Sequence, residues 1–194
     1  KFELVKTSQW GGDGYNANIS ELRSALLGNT NEYEFAHINQ LAGFGFSYLI
    51  NIREIPFKLY TQFIGEDEAG NLPSCYMNLI GTELNLYETK FLSKIGFEYI
   101  DTRIGFSTNG NCGPNTAYNN NTYHYTNYDS SLGAQIDSEG KSLNFWGNTI
   151  LDNNTTLNYS IKDIIINDYN RYDHRLASAR QNGWMATIGA SWNI

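Results

Sequence analysis

The feature that most constrains this chain is the rhythm of its connections. Strand-like runs are joined by segments that alternate strictly between short and long. The short ones are NIREIP, YETKF and DNNTT; the long ones cover residues 11–40, 65–74, 107–142 and 168–183. A soluble sandwich has no need of such alternation. An outer-membrane barrel has, because tight periplasmic turns alternate there with long outer loops.

The runs themselves have period two and are too short for helices. They cover residues 2–10, 41–50, 57–64, 76–86, 92–105, 143–151, 157–162 and 184–194. In the second run Ala42, Phe44, Phe46, Tyr48 and Ile50 share one face, against Gly43, Gly45 and Ser47. The last sets Trp184, Ala186, Ile188, Ala190, Trp192 and Ile194 against Met185, Thr187, Gly189, Ser191 and Asn193. One face is apolar and the other small or polar, an apolar-out, polar-in pattern. A β-sandwich gives the same periodicity with its apolar faces inward, so the loop rhythm makes the choice. The expectation is an all-β chain: an antiparallel transmembrane β-barrel wall of the outer-membrane type, with about eight strands. Long outer loops lie at one end, and short periplasmic turns and Ile194 at the other. Residues 19–27 break the pattern with helical spacing inside a long connection.

The totals agree. Fourteen Tyr, 18 Gly and only 17% charged residues suit strands with polar loops. A formal charge of −7 with no basic run argues against nucleic acid as a partner. No apolar run is long enough for a spanning helix. Two cysteines without zinc spacing and three scattered histidines indicate neither a metal nor a cofactor. The chain opens at Lys1 within a strand-like run, as a fragment does.

The run GEDEAGNLPS places Glu66, Asp67 and Glu68 together at the outer rim. With Lys58, Tyr60 and Gln62 pointing inward, Glu66 and Glu68 continue that face. Arg103 ends the fifth run on the same side, one strand away, so a pair between Arg103 and Glu66 or Glu68 is expected. Three readings stay open: a charge cluster that anchors the loop, a saccharide site in which carboxylates bind sugar hydroxyls, and a Ca²⁺ site, for which EF-hand spacing is absent. Tyr118, Tyr123, Tyr125 and Tyr128 with His124 form either a sugar platform or a filling for the barrel mouth. Arg171, Arg175 and Arg180 either meet an acidic polysaccharide or lipid phosphate or lie solvated. His124 and His174 are candidate bases for a hydrolase, but no nucleophile motif accompanies them. Cys75 and Cys112 both fall on the oxidising outer side, where a disulfide can form.

Five motifs in order carry a resemblance: TSQWGG at 7–12, NQLAGF at 39–44, YTQFIGEDEAG with LPS and YM at 60–77, EYIDTR at 98–103, and the Tyr-rich 118–128 followed by Leu132-Gly133. Together they resemble the Wzi family of capsule assembly proteins. The resemblance runs along the whole chain, residues 1–194 as a single domain, but covers only the C-terminal half of the family. It implies part of an eighteen-stranded outer-membrane barrel that is plugged rather than open, with no enzymatic activity. It implies a bacterial outer-membrane location and a role in binding or organising capsular polysaccharide at the cell surface. The other expected partners are outer-membrane lipid, lipopolysaccharide and the missing N-terminal half of the barrel. A passive porin-like channel and, further off, an outer-membrane hydrolase are the alternatives. Cys75 stands where the resemblance leads one to expect a basic or polar residue.

Overall fold

A computed structural model of the chain describes residues 1–12, 14–15, 17–27, 38–69, 72–87, 92–106, 112–118, 124–128, 130–151 and 155–192, apart from the side chains of Leu27, Asp67, Glu68, Ala69 and Leu72. Its strands are β1 (Phe2–Gln9), β2 (Asn39–Ile52), β3 (Ile55–Ala69), β4 (Leu72–Tyr87), β5 (Leu92–Asp101), β6 (Thr126–Asn127), β7 (Ser130–Ser131), β8 (Lys141–Ile150), β9 (Thr155–Ile166) and β10 (Gln181–Trp192). Eight of them form one open sheet in the order β1-β2-β3-β4-β5-β8-β9-β10. Every neighbouring pair is antiparallel. β6 and β7 form a separate small hairpin. This is the wall the connection rhythm predicts, with β1 and β10 at its two edges.

At the short-turn end, β2 and β3 are joined by Arg53 and Glu54 alone, both with positive φ (49° and 71°). That is the backbone of a two-residue turn whose twist matches the flanking strands. At the other end the connections carry structure. The helix α1 (Ile19–Leu27) lies between β1 and β2, where helical spacing predicts it. Its start is capped by Asn18, whose Oδ1 accepts the Glu21 N–H at 2.9 Å.

Two boundaries differ from expectation. Residues 65–74 are not a long loop: β3 continues to Ala69 and β4 begins at Leu72, with Asp67 opposite Ser74 and Glu68 opposite Pro73. Strand pairing satisfies the backbone here without a core on both faces, so the charges did not signal a strand. At about 3.3 Å per residue the two strands reach roughly 50 Å, well beyond an apolar band of about 25 Å. The β3–β4 pairing continues to Ala69 and Leu72, beyond the last β2–β3 pair at Ala42 and Gly65. In contrast, β5 stops at Asp101 rather than running to Gly105, because Thr102 turns inward to bind the loop described below.

The two faces divide as the alternation predicts. On the outer face Phe44 stands opposite Phe63, with ring centroids 5.3 Å apart, and Tyr76 meets both rings edge-on. Further round, Phe97, Phe145, Ile161, Trp184 and Ile188 all stand exposed. The inner face carries charge. Lys58 and Lys94 both reach Glu83, at 3.3 and 2.8 Å, and the Tyr60 hydroxyl donates to Glu98 at 3.0 Å. Glycine makes room for the inner aromatics: a Cβ on Gly81 would lie 2.2 Å from the Tyr60 ring, and one on Gly96 2.3 Å from Trp146. Among the described residues, buried apolar side chains cluster at the rim end of this face: Leu41, Cys75, Met77, Ile104, Ala117, Tyr118 and Tyr125.

Candidate functional site: a loop plug at the rim

The rim cluster exists because the β5–β8 connection folds back over the inner face. Glu66 and Cys75 share that face with Ile64 and Met77, and each grips the connection. The Glu66 carboxylate accepts the Tyr118 N–H at 2.9 Å. Cys75 is bonded to Cys112, with Cα atoms 5.4 Å apart. Cys75 itself has φ 53°, a region sparsely used by non-glycine residues. So the first of the three carboxylates faces the plug. The side chains of Asp67 and Glu68 lie outside the described residues.

The expected pair between Arg103 and Glu66 does not form. The Arg103 guanidinium is held instead by Asp101, at 2.6 and 2.9 Å, and by Asp168 at 3.0 Å. Chain topology brought Arg103 to the right rim, but an aspartate two residues away reaches it first. Hydrogen bonding to Asp101 raises the Arg103 pKa further.

Tyr118 and Tyr125 are buried and stacked at 6.1 Å. The Tyr118 hydroxyl accepts the Ala134 N–H at 3.1 Å, and Tyr125 donates to Thr7 Oγ1 at 2.9 Å. Burial pushes the Tyr118 phenol up to about 12. These two rings fill the mouth and offer no platform. Tyr128, 96% exposed, and His124 do face solvent. Tyr123 lies outside the described residues.

Residues that pattern reading missed hold the plug. Thr102 is buried, donates to the Asp137 carbonyl at 2.6 Å and accepts the Gly140 N–H at 3.0 Å. Asp137 and Glu139 are 1% exposed. Arg171 binds Glu139 at 2.8 Å, and Arg175 Nε binds Asp137 at 2.8 Å. Asp168 collects Lys141, Arg103 and Arg180 at 2.8–3.0 Å. The Lys141 hydrogen bond and these neighbours pull the Asp168 carboxyl down to about 2. Each of the three arginines of the last outer connection is therefore bound to a carboxylate of the chain, although Arg180 stays 46% exposed. The one local signal was the polar loop pattern itself: Asp137, Glu139, Asn167 and Asn170 all have φ between 54° and 58°, a conformation Asp and Asn tolerate.

His174 is buried. Its Nε2 lies 2.9 Å from the Ser138 carbonyl, and Nδ1 accepts the N–H groups of Leu176 and Ala177 at 3.2 and 3.4 Å. Both ring nitrogens bind backbone, which leaves no lone pair for a hydrolase's base. Among the described residues, no group of three His, Cys, Asp or Glu side chains is placed to hold a metal.

The comparisons agree with this geometry. The family model "Capsule assembly protein Wzi" matches residues 1–194. An "Uncharacterized 55.8 kDa protein in cps region" of Klebsiella pneumoniae is 39% identical over 77 residues, which are 39% of this chain and 15% of that protein. The solved structure of Wzi from Escherichia coli superimposes with a TM-score of 0.61 at 23% identity, over 98% of this chain and 45% of that one. That protein is described as an outer membrane protein involved in group 1 capsule assembly and as a carbohydrate-binding β-barrel. The chain thus spans less than half the length of either relative. The open antiparallel wall superimposes on part of that barrel, and, matched over residues 1–194 by the family model, the chain belongs to the Wzi family of capsule assembly proteins.

Proposed function

We propose that this chain is the plug-bearing part of a bacterial outer-membrane protein that holds capsular polysaccharide at the cell surface and performs no chemistry on it. The plug carries the reading. Residues 112–118 and 124–140 cover the rim end of the inner face, fastened by a disulfide and by buried ion pairs. A loop fastened over the inner face in this way favours a filled mouth over an open channel. The disulfide suits an oxidising, extracytoplasmic location. The exposed apolar outer face suits lipid. The free edges of β1 and β10 suit pairing with strands beyond this chain, because lipid cannot satisfy open backbone groups.

What remains for a ligand is the outward surface of the loops. There Phe106, Tyr128 and Tyr172 are each at least 84% exposed, and aromatic faces stack on sugar rings.

The test uses the full-length parent protein. Cells lacking it should shed polymer into the medium, and the purified protein should retain polymer without conducting in planar bilayers. A large steady conductance with no polymer retention would put the channel reading first.

A further inference from the structure

We infer that α1 is an interfacial helix, seated on the lipid side of the wall at its outer rim, with Ile19 and Leu26 among the acyl chains of the outer leaflet; this rests on the membrane placement of the wall and not on the polysaccharide-holding role. The two faces of β1 grip different loops. Thr7 and Gln9 hold the plug: Thr7 Oγ1 accepts the Tyr125 hydroxyl at 2.9 Å, and Gln9 Nε2 donates to the Thr126 carbonyl at 2.7 Å. Successive strand residues take opposite faces, so Lys6 and Ser8 stand on the outer face with Phe2 and Leu4. Both grip α1. Ser8 Oγ donates to the Ala25 carbonyl at 3.3 Å, and Lys6 Nζ to the Leu26 carbonyl at 3.2 Å. Gln40, directly opposite Ser8, donates to the Ala25 carbonyl as well. The last carbonyls of a helix have no partner within it, and here polar residues of an otherwise apolar outer face supply the donors. Ala25 is fully buried.

The depth of the helix follows from β2. From Ile52 at the short turn to Gln40 the strand runs about 40 Å at roughly 3.3 Å per residue. At a tilt of about 40° that is roughly 30 Å along the membrane normal, against an apolar band of about 25 Å. The helix therefore sits at the headgroup layer, where an amphipathic helix sinks its apolar face by about 5–10 Å. Such a face is present. Ile19, Leu22 and Leu26 recur at helical spacing along one stripe, yet Ile19 is 85% and Leu26 66% exposed. A helix packed on a soluble core turns that stripe inward, whereas here the wall takes Ala25 instead. Lys6, which holds the Leu26 carbonyl, is the next outer-face residue after Leu4, itself 78% exposed. The apolar surface of the wall thus leads onto the helix. Lys6 and Arg23, both exposed, carry charged heads on long apolar stems and suit the level of lipid phosphates.

The test uses the full-length protein in lipid bilayers, with a nitroxide label on Ile19→Cys, on Leu26→Cys or, for reference, on Tyr172→Cys in the last outer connection. Cys75 and Cys112 are bonded to each other and take no label while unreduced. Labels at positions 19 and 26 should be several-fold more accessible to oxygen, which partitions into lipid, than to a water-soluble nickel chelate. The label at position 172, where the native side chain is 87% exposed, should show the reverse preference. Ser8→Ala with Gln40→Ala, which takes both donors from the Ala25 carbonyl, should shift positions 19 and 26 toward the chelate. Labels at 19 and 26 that behave as the one at 172 would overturn the inference and place α1 in water. Labels shielded from both reagents would overturn it in favour of contact with the part of the barrel beyond this chain. Neither result touches the polysaccharide-holding role, which polymer retention reads separately.

Discussion

Two charge systems share the inner face, and they differ in how they are made. In the middle of the wall, Lys58, Glu83 and Lys94 form a ladder across neighbouring strands, Lys58 lying directly opposite Glu83. At the rim, Arg171 reaches Glu139 across 32 residues of sequence and Arg175 reaches Asp137 across 38. The ladder's Glu83 is 15% exposed and its lysines 39% and 43%, whereas the plug carboxylates are 2% exposed and their arginines 18% and 26%. The chemistry is the same but the solvent is not. Water competes for the ladder more than for the plug, whose carboxylates it does not reach. The wall is therefore held by its backbone hydrogen bonds, and the plug by its buried charges.

The largest effects should follow from breaking a plug pair. Glu139→Ala leaves Arg171 without its buried partner, a loss of about 3–5 kcal/mol. In the full-length protein this should appear as fast proteolysis and fast amide exchange within residues 112–140. Arg171→Met, which keeps the bulk and removes the charge, should do the same from the other side. Glu83→Ala in the wall should cost roughly 1 kcal/mol or less, with no change at the plug. Equal effects at Glu139 and Glu83 would erase the distinction between the two systems.

Next in size is the covalent tie. The Cys75–Cys112 bridge closes a separation of 37 residues, and removing such a link typically costs about 2–4 kcal/mol. Replacing both cysteines by serine should loosen residues 112–118 before any strand pairing is lost. Amide exchange resolves the order. If β4 and β5 open together with the plug, the bridge secures the wall as well.

How far the sequence could be read follows the same division. Period-two alternation reports which face a strand residue takes, so β2, β3 and β10 and their apolar faces were legible within a few residues. The connection rhythm reported which end was which. Neither signal reaches the plug. Asp137 and Glu139 are buried, and Asp168 is half-buried, because a distant arginine arrives, and no local pattern encodes a distant arginine. Tyr118 and Tyr128 look alike in sequence, yet one is buried against Gly133 and the other is almost fully exposed. Arg103 was placed at the correct rim, but its partner there was set by geometry finer than topology.

A smaller effect concerns acid. Asp168, lowered to about 2 in the folded protein, has an unperturbed value of about 3.9. A depressed carboxyl stabilises the fold fully above the unfolded value, and that contribution is lost as pH falls through about 2. At a rim open to water it should amount to about 1 kcal/mol. Asp168→Asn should remove the acid sensitivity of residues 167–180 between about pH 4 and 2. Loss that begins near pH 6 would point to another group.

The smallest effect expected is an absence of coupling, and it sharpens the comparison most. Glu66 holds the plug through the Tyr118 N–H, and Arg103 holds the last outer connection through Asp168. Each fastens a different segment, and the two side chains do not pair. In the full-length protein Glu66→Ala and Arg103→Ala should therefore add to within about 0.3–0.5 kcal/mol, as independent sites do. Arg103→Ala with Asp168→Asn should fall short of additivity, because those side chains share a hydrogen bond. Proteolysis rates of the two segments measure both cycles. Strong coupling between Glu66 and Arg103 would mean that the plug and the last outer connection move as one body, and the rim would then have to be treated as a single lock rather than two fastenings.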